Sequence, residues 1–157
     1  MDAAPDARPA ATSSSRRPSR RPRALDVVDR RKQRTVLVVD DLTDQRELYA
    51  GYLRYLGYHV EEAASGVEAI AKAIDVHPDI VIMDLAMPGL DGFDATRVLK
   101  AITLTKQIPI VALTAHADHL PREWAAIAGC EAYLRKPILP GDLASEIERI
   151  LIRRRSS

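Results

Sequence analysis

The sequence predicts an α/β protein of the (βα)5 type, a doubly wound parallel five-stranded sheet with helices on both faces. Three observations predict it. Five short apolar runs recur along residues 35–153, amphipathic stretches at helical spacing separate them, and the runs are mostly unbroken rather than alternating. Unbroken apolar strands are those buried on both faces, and strands alternating with helices make parallel sheets.

Thr35–Val39 (TVLVV) is β-branched and reads as the first strand. Thr43–Leu56 follows as a helix with Leu48, Tyr52, Tyr55 and Leu56 as its apolar stripe, an acidic capping box at Asp44–Glu47, and Gly57 as its stop. Tyr58–Glu62 is the second strand. Ser65-Gly-Val-Glu68 is a capping box that opens a helix with Ala69, Ile70, Ala73 and Ile74 on one face, ended by His77–Pro78. Asp79–Met83 (DIVIM) is the third strand, and a loop through Asp91 leads to a helix over Gly92–Leu104 carrying Phe93, Val98, Leu99 and Ile102.

Ile108–Leu113 is the fourth strand, with Pro109 near its start, where a missing ladder donor is tolerated. Pro121 suits the first turn of a short helix, Pro121–Ala128, stopped by Gly129. Cys130–Leu134 is the fifth strand, and Pro140–Ile152 closes the chain with Leu143, Ile147, Ile150 and Leu151 as a core stripe.

Composition sets limits on function. The chain has 157 residues, 46% hydrophobic and 29% charged, which gives room for one well-buried core. No apolar run approaches the roughly 18 residues that cross a bilayer. The single cysteine, Cys130, excludes an intramolecular disulfide framework and a cysteine-rich zinc site, and is read as a small core residue. No apolar segment follows the amino-terminal charges as it does in a secretory signal, so a cytoplasmic protein is expected.

The net charge of +1 conceals an asymmetry. Residues 1–34 carry ten basic and four acidic side chains, a charge of +6, so residues 35–157 carry −5. The first 34 residues are rich in Arg, Ser, Pro and Ala and read as a disordered basic tail, with one or two helical turns open to Ala24–Lys32. Residues 154–157 read as a carboxy-terminal tail. The basic tail suits electrostatic attachment to nucleic acid or to an anionic membrane surface, or a plain solvated extension. No aromatic residue lies within 1–34 to stack on bases.

Ligands of open parallel sheets bind beyond the carboxyl ends of the strands. Asp40 and Asp41 follow the first strand, Asp84 the third, Thr114 the fourth and Lys136 the fifth. Three converging carboxylates repel one another, and a hard divalent cation with oxygen ligands, Mg²⁺, removes the conflict. A cation, an ammonium and a hydroxyl around one carboxylate make a cradle for a phosphoryl group, with one aspartate as nucleophile. Each residue alone has a plain structural use as a cap or turn former. Five at one end of a sheet are not explained that way.

The residues that carry this site stand in four segments: Val38-Val39-Asp40-Asp41, Asp84-Leu-Ala-Met-Pro-Gly-Leu-Asp-Gly92, Leu113-Thr114-Ala115 and Ala132-Tyr133-Leu134-Arg135-Lys136-Pro137. In them the chain resembles the receiver domain of two-component response regulators, over roughly Thr35–Ile152. The resemblance implies a flavodoxin-like strand order 2-1-3-4-5. It implies that Asp84 is the phosphoacceptor, that Asp40 and Asp41 hold Mg²⁺ with the backbone carbonyl of Ala86 and with Asp84, and that Lys136 pairs with the phosphoryl oxygens. It further implies a cis bond to Pro137, a switch hydroxyl at Thr114, and at Tyr133 an aromatic that turns inward. Ala86 and His116 occupy the two positions beside the path of attacking water and bear on the lifetime of the aspartyl phosphate. His59, His77 and His119 show no ligand spacing, and Trp124 reads as packing of the short fourth helix or as part of an output surface.

The resemblance thus implies a stand-alone receiver in a phosphorelay, with no enzyme activity beyond its own phosphorylation and dephosphorylation. Its partners are a sensor histidine kinase or histidine phosphotransfer protein and a downstream protein target. The target reads the surface of the Pro121–Ala128 helix, the Cys130–Leu134 strand and the Pro140–Ile152 helix. A competing reading is a phosphorylation-independent binding module whose basic tail contacts nucleic acid or another anionic partner. The intact set Asp40, Asp41, Asp84, Thr114 and Lys136 counts against it. A flavin-binding α/β protein is a third reading, and no Gly-rich or hydroxyl-rich phosphate loop follows the first strand to support it.

Overall fold

Five parallel strands form one sheet in the order β2-β1-β3-β4-β5 in the computed structural model, which describes residues 21, 23–115 and 129–155. The strands are β1 (Thr35–Val39), β2 (His59–Ala63), β3 (Ile80–Asp84), β4 (Ile110–Thr114) and β5 (Ala132–Arg135). The described helices are α1 (Ala24–Lys32), α2 (Thr43–Tyr55), α3 (Gly66–Val76), α4 (Gly92–Ala101) and α5 (Pro140–Arg155). The helix expected at Pro121–Ala128, with His116, His119 and Trp124, lies outside the described residues. No helix among the described residues is long and apolar enough to cross a membrane.

Alternate residues of each central strand face opposite sides, so the sheet carries two cores. Val36, Val38, Ile80, Ile82, Val111 and Leu113 pack with Leu53 of α2 and Leu143 and Ile147 of α5. Leu37, Val39, Val81, Met83, Ile110 and Ala112 pack with Ala69 and Ala73 of α3 and Ala95 and Leu99 of α4. Each fully buried aliphatic side chain contributes about 1.5–3 kcal/mol.

Several expected boundaries shift. β2 to β5 begin one or two residues later than the apolar runs do. Asp79 shows why: its carboxylate accepts from the Thr35 amide at 2.8 Å and from Arg34 at 3.2 Å, so it ties a loop rather than opening a strand. The helix expected to reach Leu104 ends at Ala101, where Ile102 turns extended and the Thr105 hydroxyl donates to the Leu99 carbonyl at 2.6 Å. The buried stripe of α2 is Tyr49, Ala50 and Leu53, with Tyr52 and Leu56 beside it, while Leu48 and Tyr55 are exposed. No side chain caps α2 at Leu42, and the acidic box expected at Asp44–Glu47 does not form. The Ser65–Glu68 box does, with the Ser65 hydroxyl accepting from the Glu68 amide and the Glu68 carboxylate from the Ala64 amide, both at 3.1 Å.

Residues 24–32, the part of the basic tail that could take one or two helical turns, form α1, and the helix docks on the domain. Asp26 lies in its first turn and Arg30, Arg31 and Lys32 in its last, the order that suits the helix dipole. Arg31 donates to Glu148 of α5 at 2.7 Å, and its guanidinium lies 5.9 Å from the Tyr58 ring centroid. At the other terminus α5 continues to Arg155, past the expected end at Ile152, and Arg154 pairs with Glu131 at 3.2 Å.

Candidate functional site

Parallel pairing brings the carboxyl ends of β1, β3, β4 and β5 side by side. Asp40 and Asp41 leave β1, Asp84 ends β3 opposite Leu113, Thr114 ends β4, and Lys136 leaves β5. The Lys136 amide donates to the Thr114 carbonyl at 2.7 Å, which ties the exit of β5 to β4. The Lys136–Pro137 bond is cis, as the resemblance implied.

Two close approaches position the loop beside Asp84. A Cβ at Gly92 would stand 1.9 Å from the Asp84 carbonyl oxygen, and one at Gly66 would stand 2.4 Å from the Leu90 carbonyl oxygen. Only hydrogen in place of a side chain lets α4 and α3 begin against this loop. Asp91 caps α4, accepting from the Asp94 amide at 2.8 Å.

The carboxylates of Asp40, Asp41 and Asp84 converge, with ligand oxygens all within 4.8 Å of one another. Asp40 and Asp84 are buried, and Asp41 is half-buried. The Lys136 ammonium donates to Asp40 at 2.9 Å and to the Gln45 amide oxygen at 2.8 Å, and stands 3.3 Å from Asp84. Asp84 also accepts from the Ala86 amide at 3.1 Å, and Asp40 from the Leu42 amide at 2.9 Å. Asp41 has no hydrogen bond or ion pair among the described residues.

Burial pushes the Asp84 carboxyl above the usual carboxylate range, and the Asp40 charge adds to this. The Lys136 charge and the Ala86 amide oppose the rise. For Lys136, burial works against the charged form, yet its bonds to Asp40 and Asp84 prevail and hold the ammonium above its ordinary range. One ammonium among three carboxylates leaves an excess of two negative charges. Among the described residues the converging donors are carboxylate oxygens with no thiolate or imidazole, a set that suits a hard divalent cation and fits Mg²⁺.

Thr114 is 1% exposed and lies one residue past the partner of Asp84 in the ladder. Tyr133 packs against the Met83 and Ala112 side of the sheet, and its buried hydroxyl has no hydrogen-bond partner among the described residues. Ala86 touches Asp84 through its amide, and His116 lies outside the described residues. Two site residues were missed in the sequence. Gln45 reaches Lys136 from the first turn of α2. Arg46 donates to the Asp40 carbonyl at 2.9 Å while paired with Glu62 at 3.2 Å. The signal was positional, since the first turn of a helix that follows two site acids must pass over the strand ends.

A family model described as the response regulator receiver domain matches residues 36–148. The chain is 34% identical to the transcriptional regulatory protein ResD of Bacillus subtilis over 126 residues, 80% of this chain and 51% of that protein. It therefore spans about half the length of that relative. It is 34% identical over 116 residues to the protein PilH of Pseudomonas aeruginosa, covering 74% of this chain and 96% of PilH. Among solved structures it is similar to the receiver domain of the sensor histidine kinase PA1611 of Pseudomonas aeruginosa, which holds a magnesium ion in its active-site cleft. That match has a TM-score of 0.68 and 36% identity and covers 79% of this chain and 98% of that one. The match over most of the chain and the strand order observed in the sheet agree, and this protein belongs to the response regulator receiver domain family.

Proposed function

We propose that Asp84 accepts a phosphoryl group from the phosphohistidine of a sensor kinase or phosphotransfer protein, and that Thr114 and Tyr133 report it to a downstream protein. The observation that carries this reading is the Asp84 carboxylate itself. It is buried at a strand end, holds one oxygen on the Ala86 amide and turns the other toward Lys136, with two further acids beside it.

An Asp84 oxygen attacks phosphorus as the bond to the imidazole nitrogen breaks, and the electron pair of that bond leaves with the imidazole. Asp40, Asp41, Asp84 and the Ala86 carbonyl are the groups that would hold Mg²⁺. When bound, the ion supplies positive charge against the acids and the phosphoryl oxygens. Lys136 redirects one ammonium N–H from Asp84 to a phosphoryl oxygen and so keeps a neutralising contact through the transfer. Thr114 donates its hydroxyl to another oxygen of the modified Asp84. Ala86 leaves the approach to phosphorus open to water, and His116 stands at the matching position after Thr114, so the pair bears on the lifetime of the acyl phosphate.

Movement of Thr114 toward Asp84 changes the space beside Tyr133. The ring then shifts its balance between inward and outward positions, and the face made by β5 and α5 changes for its partner. Transfer of labelled phosphate from a panel of autophosphorylated histidine kinases tests the reading. Label appears on the intact chain with Mg²⁺ and is absent from Asp84→Asn; label persisting on that variant rejects Asp84 as the acceptor.

A further inference from the structure

The end of the sheet opposite Asp84 carries a second concentration of charge, of the other sign. Residues before β1, β3 and β4 stand there, and α5 returns to it after leaving the Asp84 end. A cavity of about 370 Å³ lies between α1 and the last turns of α5. Val27 of α1 with Leu151 and Ile152 of α5 give it an apolar lining, and Arg30, Arg34 and Arg155 line it as well. An adjoining cavity of about 230 Å³ shares Arg34, Leu151 and Arg155 and runs toward the starts of β3 and β4.

The arginines around the first cavity are not equivalent. Arg31 is held by Glu148 and Arg34 by Asp79. The guanidiniums of Arg30 and Arg155 have no ion pair or hydrogen bond among the described residues, and they come from different helices. Among the described residues Glu148 is the one acid lining this cavity, and two Arg31 donors share its Oε1 at 3.1 and 2.7 Å. Guanidiniums facing one space repel until an anion joins them, and their forked donors match phosphate oxygens.

A simple anion would leave the apolar lining unused. Ile152 is 59% exposed and Val27 is partly exposed, so a flat apolar body laid on them removes apolar surface from water. The volume lies at the small end of the range for ligand pockets, roughly 300–1,000 Å³, which suits a small molecule better than a peptide helix. We propose that the cavity between α1 and α5 binds a small organic phosphate of the nucleotide class, its phosphate held by Arg30 and Arg155 and its base lying on Val27 and Ile152. The docked helix α1 completes the site, which gives the basic segment ahead of the receiver domain a use independent of Asp84.

Titration of the full chain with AMP, followed by calorimetry and amide NMR, tests the proposal. Saturable binding with shifts in α1 and residues 148–155 is expected, with inorganic phosphate weaker by about tenfold or more. The Arg30→Gln/Arg155→Gln double variant should weaken AMP by about tenfold or more, with thermal unfolding and phosphoryl labelling unchanged. Asp84→Asn should bind AMP as the parent does, which separates this site from the phosphoacceptor. The proposal is overturned by absence of saturable AMP binding, by equal affinity for AMP and phosphate, by unchanged affinity in the double variant, or by shifts confined to residues around Asp84. A single-stranded oligonucleotide that binds far tighter than AMP, with steep salt dependence, also overturns it and makes the face a nucleic-acid surface.

Discussion

The Lys136 ammonium donates to Asp40 at 2.9 Å, and both side chains are withdrawn from water, at 10% and 2% exposure. Removing one partner of a buried pair leaves an uncompensated charge, at a cost of about 3–5 kcal/mol. Here the loss is compounded, because Asp40 would then face Asp84 with nothing between them. Lys136→Met is therefore expected to lose stability by about that amount in a chelator and to recover much of it in millimolar Mg²⁺. Urea unfolding with and without Mg²⁺ reads this directly. The variant should still bind Mg²⁺, yet phosphorylation should no longer shift the amide resonances of β5.

Asp40 and Asp41 are neighbours with opposite prospects. Asp40 is buried and paired with Lys136, whereas Asp41 is half-buried without a partner among the described residues. Asp41→Asn removes repulsion and breaks no bond, so its stability in a chelator should equal or slightly exceed that of the parent. Its Mg²⁺ affinity should fall by about tenfold or more. Asp40→Asn should lose stability as well as affinity. Calorimetric Mg²⁺ titration beside thermal unfolding separates the two, and equal stability losses would show that Asp41 has a structural partner.

Gln45 offers Lys136 a neutral acceptor at 2.8 Å, in competition with Asp84 at 3.3 Å. A carboxylate in its place would hold the ammonium more firmly and add a fourth negative charge to the pocket. Gln45→Glu is expected to slow labelling by a small acyl phosphate donor by about tenfold, while Gln45→Ala changes the rate by no more than about threefold. Initial rates at saturating Mg²⁺ make the comparison. Equal rates for Gln45→Glu and the parent would remove Gln45 from the control of Lys136.

Cys130 lies ahead of β5 against the α4 side of the core, and burial pushes its thiol up to about 11. Desolvation disfavours the thiolate, so its reactivity is suppressed at neutral pH and returns only as pH rises toward that value. At pH 8 an ordinary thiol should alkylate about a hundredfold faster. Iodoacetamide labelling of the folded chain against the urea-unfolded chain measures the ratio. Equal rates would mean that the thiol is not shielded.

What the sequence revealed and what it concealed divide along physical lines. The residues that follow each strand were legible because parallel strands in register align their carboxyl ends, whatever the helices between them do. Asp40, Asp41, Asp84 and Lys136 converge for that reason. Helix faces were less legible. The spacing of Leu48, Tyr52, Tyr55 and Leu56 satisfied helical periodicity, yet Tyr49, Ala50 and Leu53 are the buried set, because a small alanine lets the helix approach the sheet on that side. Docking of α1 was concealed by its composition. Arginine reads as solvated until an acid on a distant helix, Glu148, is brought beside it. Gln45 was overlooked because an amide carries no charge to mark it.

Gly92 links the fold to the chemistry through a contact that no polar residue makes. An added Cβ would meet the Asp84 carbonyl oxygen at 1.9 Å and its carbonyl carbon at 2.7 Å, and the α-carbon bonded to that carbonyl also bears the carboxylate side chain. Backbone atoms on both sides leave no flexible side chain to yield, so Gly92→Ala must displace either the start of α4 or the end of β3. Overpacking of this kind costs about 1–3 kcal/mol, and more where backbone must move. Gly51, with nothing within 4 Å of its Cβ position, is the matched control on an exposed face of α2. Gly51→Ala should stabilise the chain by about 0.5–1 kcal/mol, the gain from restricting a glycine inside a helix. Gly92→Ala should lose stability and should also lose Mg²⁺-dependent labelling in excess of any unfolded fraction, because the acceptor moves with its backbone. Urea unfolding and labelling rates at a temperature where both variants are folded test the pair. Normal labelling in a destabilised Gly92→Ala would mean that α4 yields and Asp84 stays in place.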